Sequence, residues 1–205
     1  TLVAHDWGGA IAWAFAIQRP KRLKRLIIIN ATHPGAFQRE MARNPEQAER
    51  SQYINAFRSP EAEEIYTANG NAMLHENFTA LYEAGVMTDE DRAHYDAAWN
   101  EPGAVTGMFN WYRCMRIEPP KSADAAAIKD NDKAVAYDDS ALKVHVPVRV
   151  MWGMLDHAFS PKLLDHFPEF CADLEVVEDV GLAQPLGRGS LQVRTGHKTD
   201  DVDQH

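Results

Sequence analysis

An α/β fold is predicted for this chain, a mostly parallel sheet into which a long helical segment is inserted. Three observations predict it. Residues 2–29 read as strand, helix, strand; the second of these strands is an unbroken apolar run; and strand signals return only at 146–153 and 174–180. A strand, helix, strand succession within some thirty residues is the βαβ unit from which α/β sheets are wound. Parallel strands covered on both faces read as continuous apolar runs rather than as alternation.

The elements follow in order. Leu2 to His5 is a short buried strand, and Gly9 to Gln18 is a helix rich in Ala and Trp that stops near Arg19-Pro20, where proline forbids continuation. The second strand lies in "RLKRLIIIN" as Leu26 to Ile29. From Gly35 to Leu142 the chain turns to helical segments rich in Ala, Glu, Asn and Tyr, broken at Pro45, Pro60, Gly70, Gly85, Pro102 and Pro119-Pro120. The expected inserted lid therefore spans 35–142. Within it "MTDEDRAHYDAAW" marks a helix start: Thr88 caps free N–H groups, and Asp89, Glu90 and Asp91 suit the positive end of the helix dipole. Strand returns in "VPVRVMWG" and "LEVVEDV", so that 1–34 and 143–181 form the sheet-bearing core. A polar, glycine-rich tail, 182–205, is expected to be disordered.

Composition excludes several functions. The 205 residues carry 21 Lys and Arg against 30 Asp and Glu, a net charge of −9, which disfavours nucleic acid and anionic membrane as partners. A small neutral organic substrate fits better. Cys114 and Cys171 have no paired spacing and no ligand cluster around them, so a reducing, cytoplasmic setting without disulfides is expected, with neither metal nor cofactor. No run reaches the ~18 apolar residues of a membrane span.

The chemistry is concentrated in "VAHDWGGAIAWAFA", residues 3–16. An apolar strand runs into His5, Asp6 and Trp7, turns through Gly8 and Gly9, and continues as a helix. A sharp strand-to-helix turn lifts one side chain above the sheet and needs small neighbours, because its backbone is strained and the helix packs closely. Here the lifted residue is Asp6. A carboxylate so placed can attack an sp³ carbon and form an ester, and backbone N–H groups at the helix start favour its anion. The alternative for an isolated D-x-G-G is a plain helix cap.

"HDWGG" resembles the α/β-hydrolase superfamily, and in particular its epoxide hydrolase and haloalkane dehalogenase branch, in which Asp replaces the commoner Ser. The resemblance implies a partial α/β-hydrolase fold with Asp6 as nucleophile. "VMWGMLDHAFSP" then resembles the turn that bears the orienting acid, which falls on Asp156, while His157 beside it reads as a loop histidine. The segment "TDEDRAHYDAAWNEPGAVTGMFNWYRCMR" is similar to the epoxide hydrolase lid, with its tyrosine at Tyr112, and "SQYINAFRSP" puts the first lid tyrosine at Tyr53. Two phenols donating to an epoxide oxygen would offset the alkoxide charge that develops as the C–O bond breaks. Trp7, through its backbone N–H, and His5 complete the implied oxyanion and pocket set. His33 in "HPGAF" reads as structural, and Trp13, Phe15, Trp99, Phe109 and Trp111 as core or pocket aromatics.

The resemblance also separates neighbours. Fluoroacetate-type dehalogenases follow the nucleophile with arginines, where this chain has Trp7, Gly8, Gly9, Ala10 and Ile11. Haloalkane dehalogenases hold halide with a Trp beside the nucleophile, which Trp7 would satisfy, but they do not need the paired tyrosines. Two family features are missing. The first half of the fold, with its "HGxP" loop, would lie before Thr1, so the chain reads as a fragment. The base histidine, expected in a "SHW"-like turn after "LEVVEDV", is replaced by "GLAQPLGRGSLQVRTGHKTDDVDQH". We hypothesise a coding shift over Leu182 to Gln192, because a one-base displacement of plausible codons restores a histidine turn; a nucleotide sequence supporting the present frame would end that idea. His197 and His205 are poor substitutes. The expected function is thus epoxide opening through an aspartyl ester to a diol, with turnover by this chain doubtful. The alternatives are a haloalkane dehalogenase and a non-catalytic ligand-binding remnant.

Overall fold

The computed structural model describes residues 1–124, 128, 137–179 and 191–195. It divides into two compact units, 1–51 with 119–205, and Gln52–Glu118.

The first unit is built on a sheet of order β1-β2-β3-β4-β5, formed by Leu2–His5, Leu26–Ile29, Val148–Gly153, Leu174–Asp179 and Leu191–Thr195. The first four are parallel, with His5 opposite Ile29, Ile29 opposite Met151 and Met151 opposite Val177. The expected α/β class holds, and the four strand positions agree with those expected. β5, antiparallel to β4, falls inside the 182–205 segment where no strand was expected; the rest of that segment lies outside the described residues. Helix α1, Asp6–Gln18, connects β1 to β2 and begins three residues earlier than expected. It packs on β2, burying Ala12, Trp13 and Ala16 on its own inner face, while Leu26 and Ile28 of β2 are fully buried. The Trp13 indole N–H donates to the Ala31 carbonyl at 3.1 Å, and its ring meets Phe167 edge to face. Among the described residues β1 pairs on one side alone, with β2, and Val3, Ile11 and Phe15 near it are 56%, 52% and 40% exposed.

Helices α2, Pro34–Arg43, and α3, Pro45–Arg50, also belong to this first unit. Both start on proline at the first turn, where the missing N–H costs nothing. His33 caps α2: its Nδ1 accepts from the Gly35 N–H at 3.1 Å, so Nε2 carries the proton and donates to the Leu142 carbonyl at 3.0 Å. Fully buried and stacked on Phe170, it is held neutral, its pKa pushed down to about 3 chiefly by burial. This agrees with the structural role expected for it.

The second unit, Gln52–Glu118, is narrower than the expected 35–142 segment and wholly helical. It comprises α4, Gln52–Arg58; α5, Ala62–Glu76; α6, Thr79–Glu83; α7, Asp89–Trp99; and α8, Ala104–Arg113. α5 breaks at Ala68–Asn71, where Asn69, Gly70 and Asn71 take positive φ, a conformation that Asn and Gly adopt at least cost. α7 opens on the expected cap: Thr88 accepts from the Asp91 N–H, and the Asp91 carboxylate returns a bond to the Thr88 N–H. The core of the unit is Ala62, Leu74, Trp99, Val105 and Phe109. Of the five aromatics expected in the core or a pocket, Trp13, Trp99 and Phe109 are buried, and Phe15 and Trp111 are 40% and 49% exposed. No helix among the described residues is long and apolar enough to cross a membrane.

Candidate active site

The carboxyl ends of β1, β2 and β3 lie side by side, and each is followed at once by a polar residue: Asp6, Asn30, and, after a short turn, Asp156. Ligands in open α/β sheets bind outside this edge. A cleft of about 260 Å³ opens there, lined in part by Ile29, Asn30, Met151, Gly153 and Asp179. Asp6 and Asp156 follow strands two places apart in the sheet, whose axes lie roughly 10 Å from each other at the usual inter-strand spacing.

Asp6 has φ of 51°, the left-handed region that costs a non-glycine residue about 1–3 kcal/mol. That strain is the local signature of the sharp turn. His5 is extended, with φ −131° and ψ 150°, and the helix starts immediately behind it. Asp6 is exposed, and its Oδ2 accepts from the Trp7 N–H at 2.5 Å. The two glycines differ in purpose. A Cβ on Gly9 would lie 2.2 Å from the Ala31 Cβ, so α1 needs a glycine there to pack on the β2 side; a Cβ on Gly8 meets nothing among the described residues. His5 is exposed and Trp7 half-buried.

Asp156 is held from three directions. Its Oδ1 accepts from the Ala158 and Phe159 N–H groups at 2.7 and 2.9 Å. Its Oδ2 accepts from the Asn30 amide at 2.7 Å. Asn30 also bridges strands, its Oδ1 accepting from the Gly153 N–H at 2.9 Å, and it too takes positive φ, 38°. Sequence reasoning passed over Asn30. The signal was present, a polar residue ending the apolar run Leu26–Ile29 at the same edge as Asp6. His157 is exposed.

In the second unit, α4 and α8 bring the two expected tyrosines together. The Tyr53 and Tyr112 rings lie 5.8 Å apart at 82°, both half-buried. Phe57 packs on both, at 5.5 and 4.8 Å. Arg58 fixes the end of α8, donating to the Tyr112 carbonyl at 2.8 Å and to Glu118 at 2.7 Å. Arg113, next to Tyr112, is held by both oxygens of Glu63 at 2.6 Å, and this pairing draws the Glu63 carboxyl down to about 2. Residues 180–190, directly after β4, where a base histidine was sought, lie outside the described residues, as do His197 and His205.

A strained carboxylate between strand and helix on a parallel sheet defines a hydrolase-type α/β fold, and the model of the alpha/beta hydrolase fold family matches residues 1–182. The chain belongs to that family. Within it, the likeness is to epoxide hydrolases. The AB hydrolase superfamily protein YfhM of Bacillus subtilis is 34% identical over 171 residues, 83% of this chain and 54% of that protein. Epoxide hydrolase 4 of Homo sapiens is 36% identical over 119 residues, 55% of this chain and 33% of that protein. The crystal structure of Bacillus megaterium epoxide hydrolase in complex with an inhibitor superposes with a TM-score of 0.73 at 28% identity, covering 90% of this chain and 61% of the other. The chain spans about half, or less, of the length of these curated relatives.

Proposed function

We propose that this chain carries the nucleophile of an epoxide hydrolase acting on a small, neutral epoxide. Asp6 attacks an epoxide carbon, the C–O bond breaks, and the departing oxygen takes a proton from Tyr53 or Tyr112 in the helical lid. The product is an ester on Asp6. The second step needs a base that Asp156 would orient, for which the sequence offers no "SHW"-like histidine; water so deprotonated attacks the ester carbonyl, releasing the diol and restoring the carboxylate, while the tyrosine regains its proton. The observation that carries the reading is the 51° φ of Asp6, strain without purpose in a helix cap but suited to presenting a nucleophile. The paired phenols support epoxide over haloalkane, because a halide leaving group takes up no proton. The Trp7 N–H on Asp6 supports a carboxyl group held in one orientation.

The test is incubation with styrene oxide, followed by peptide mapping. An adduct on the peptide containing Asp6, absent from Asp6→Ala, supports the reading. Halide release from a haloalkane without any adduct or diol from epoxides moves the chain to the dehalogenases. Reversible binding of the epoxide with neither product leaves a binding protein.

A further inference from the structure

The loop that bears Asp156 is gripped from an unexpected side. Helix α3, expected within the lid, packs in the first unit, and its Gln47 is completely buried. All of its polar atoms are used. Gln47 Nε2 donates to the Ala158 carbonyl and to Ser51 Oγ, both at 2.9 Å, and its Oε1 accepts from the Ser160 N–H at 2.8 Å. The amide thus pairs with two main-chain groups of the loop as a strand would. Its orientation is unambiguous, because a flipped amide would set oxygen against the Ala158 carbonyl and nitrogen against the Ser160 N–H. One turn on, Arg50 donates to the carbonyl of Asp156 itself at 2.6 Å.

Ala158 joins the two halves of this arrangement. Its carbonyl is held by Gln47, and its N–H is one of the two that hold Asp156 Oδ1. Moving the Ala158 backbone necessarily moves a donor that sets the direction of the Asp156 carboxylate. We propose that Gln47 is a positioning residue for Asp156, acting through Ala158, so that hydrolysis of the Asp6 ester depends on an amide at position 47 while formation of the ester does not. This inference rests on the epoxide hydrolase reading above, in which Asp156 serves the second step alone. α3 is therefore a brace for the acid loop rather than part of a lid.

The experiment follows ester formation and ester decay separately on the purified protein, using styrene oxide, rapid quenching and intact mass. Gln47→Ala is expected to lengthen the ester lifetime roughly ten- to a hundredfold, as misplacement by about an ångström does, with the formation rate within about twofold of wild type. Gln47→Glu, close in shape, serves should the alanine variant not fold. An ionised carboxylate cannot donate to Ala158, whereas a protonated one can, so its deficit relative to wild type should shrink as pH falls. A merely structural role would slow both steps together. That result, or ester lifetimes equal to wild type, overturns the inference. The underlying reading fails differently, in proteins that retain Gln47: wild type forms no ester on Asp6, or Asp156→Asn hydrolyses the ester as fast as wild type, and the inference falls with it.

Discussion

Tyr53 and Tyr112 meet edge to face, ring centroids 5.8 Å apart and planes at 82°, although they come from the first and last helices of their unit. Phe57 wedges against both rings, so neither phenol can shift without disturbing the other. If the two share one proton-donating task, their hydroxyls should be partly redundant. Tyr53→Phe and Tyr112→Phe are each expected to slow ester formation on Asp6 by less than about tenfold, and the double variant by about a hundredfold to a thousandfold, more than the product of the single effects and in the range of general acid catalysis. Because phenylalanine keeps the rings, the variants should still fold, losing no more than about 1–2 kcal/mol of unfolding free energy through the missing hydroxyl. Quenched single-turnover reactions and denaturant titration check the two halves.

Gly9 has no room for a methyl group, since a Cβ there would sit 2.2 Å from that of Ala31. Gly9→Ala should destabilise by about 1–3 kcal/mol. The second-site change Ala31→Gly should recover most of that loss, because it removes the opposing atom. Thermal unfolding of both single variants and the double tests it; equal loss in Gly9→Ala with and without Ala31→Gly counts against close packing as the cause.

His33 gives the protein a pH dependence of known sign. Its folded pKa, about 3, lies below the ordinary 6.5, so the unfolded chain takes up a proton that the folded one refuses. Stability is therefore unaffected by this residue above pH 6.5 and falls as pH drops from 6.5 toward 3. The slope should approach about 1.4 kcal/mol per pH unit. His33→Ala, which also forfeits two buried hydrogen bonds, should be less stable at neutral pH by about 2–4 kcal/mol but should lack this slope. Urea titrations across that range decide it.

The Glu63–Arg113 pair acts at lower pH. Arg113 draws the Glu63 carboxyl from 4.5 to about 2, so its contribution is complete above 4.5 and is lost as pH falls toward 2. Both side chains are a quarter to a third exposed, which limits the pair to less than about 1 kcal/mol. Arg113→Ala should lower the melting temperature at pH 6 slightly and flatten the melting curve against pH below 4.5.

Much of this arrangement was legible because burial and turning leave marks in residue order. Leu26–Ile29 announces a covered strand by being apolar throughout, and Asp6 announces itself by interrupting such a strand just before two glycines. The start of α1 was read late because Gly8 and Gly9 weigh against helix, whereas the backbone enters its first turn directly at Asp6. The unit to which α2 and α3 belong was not legible, since helical periodicity says that a face is buried but not against what. Gln47 was invisible for the same reason: its partners Ala158 and Ser160 lie far along the chain and are backbone groups, which any residue would offer. Asn30 lay within reach, because its place after β2 matches that of Asp6 after β1.

The Asn30 side chain ties the end of β2 to the loop after β3, through the Gly153 main chain and the Asp156 carboxylate, so that removing its amide would loosen two elements at once.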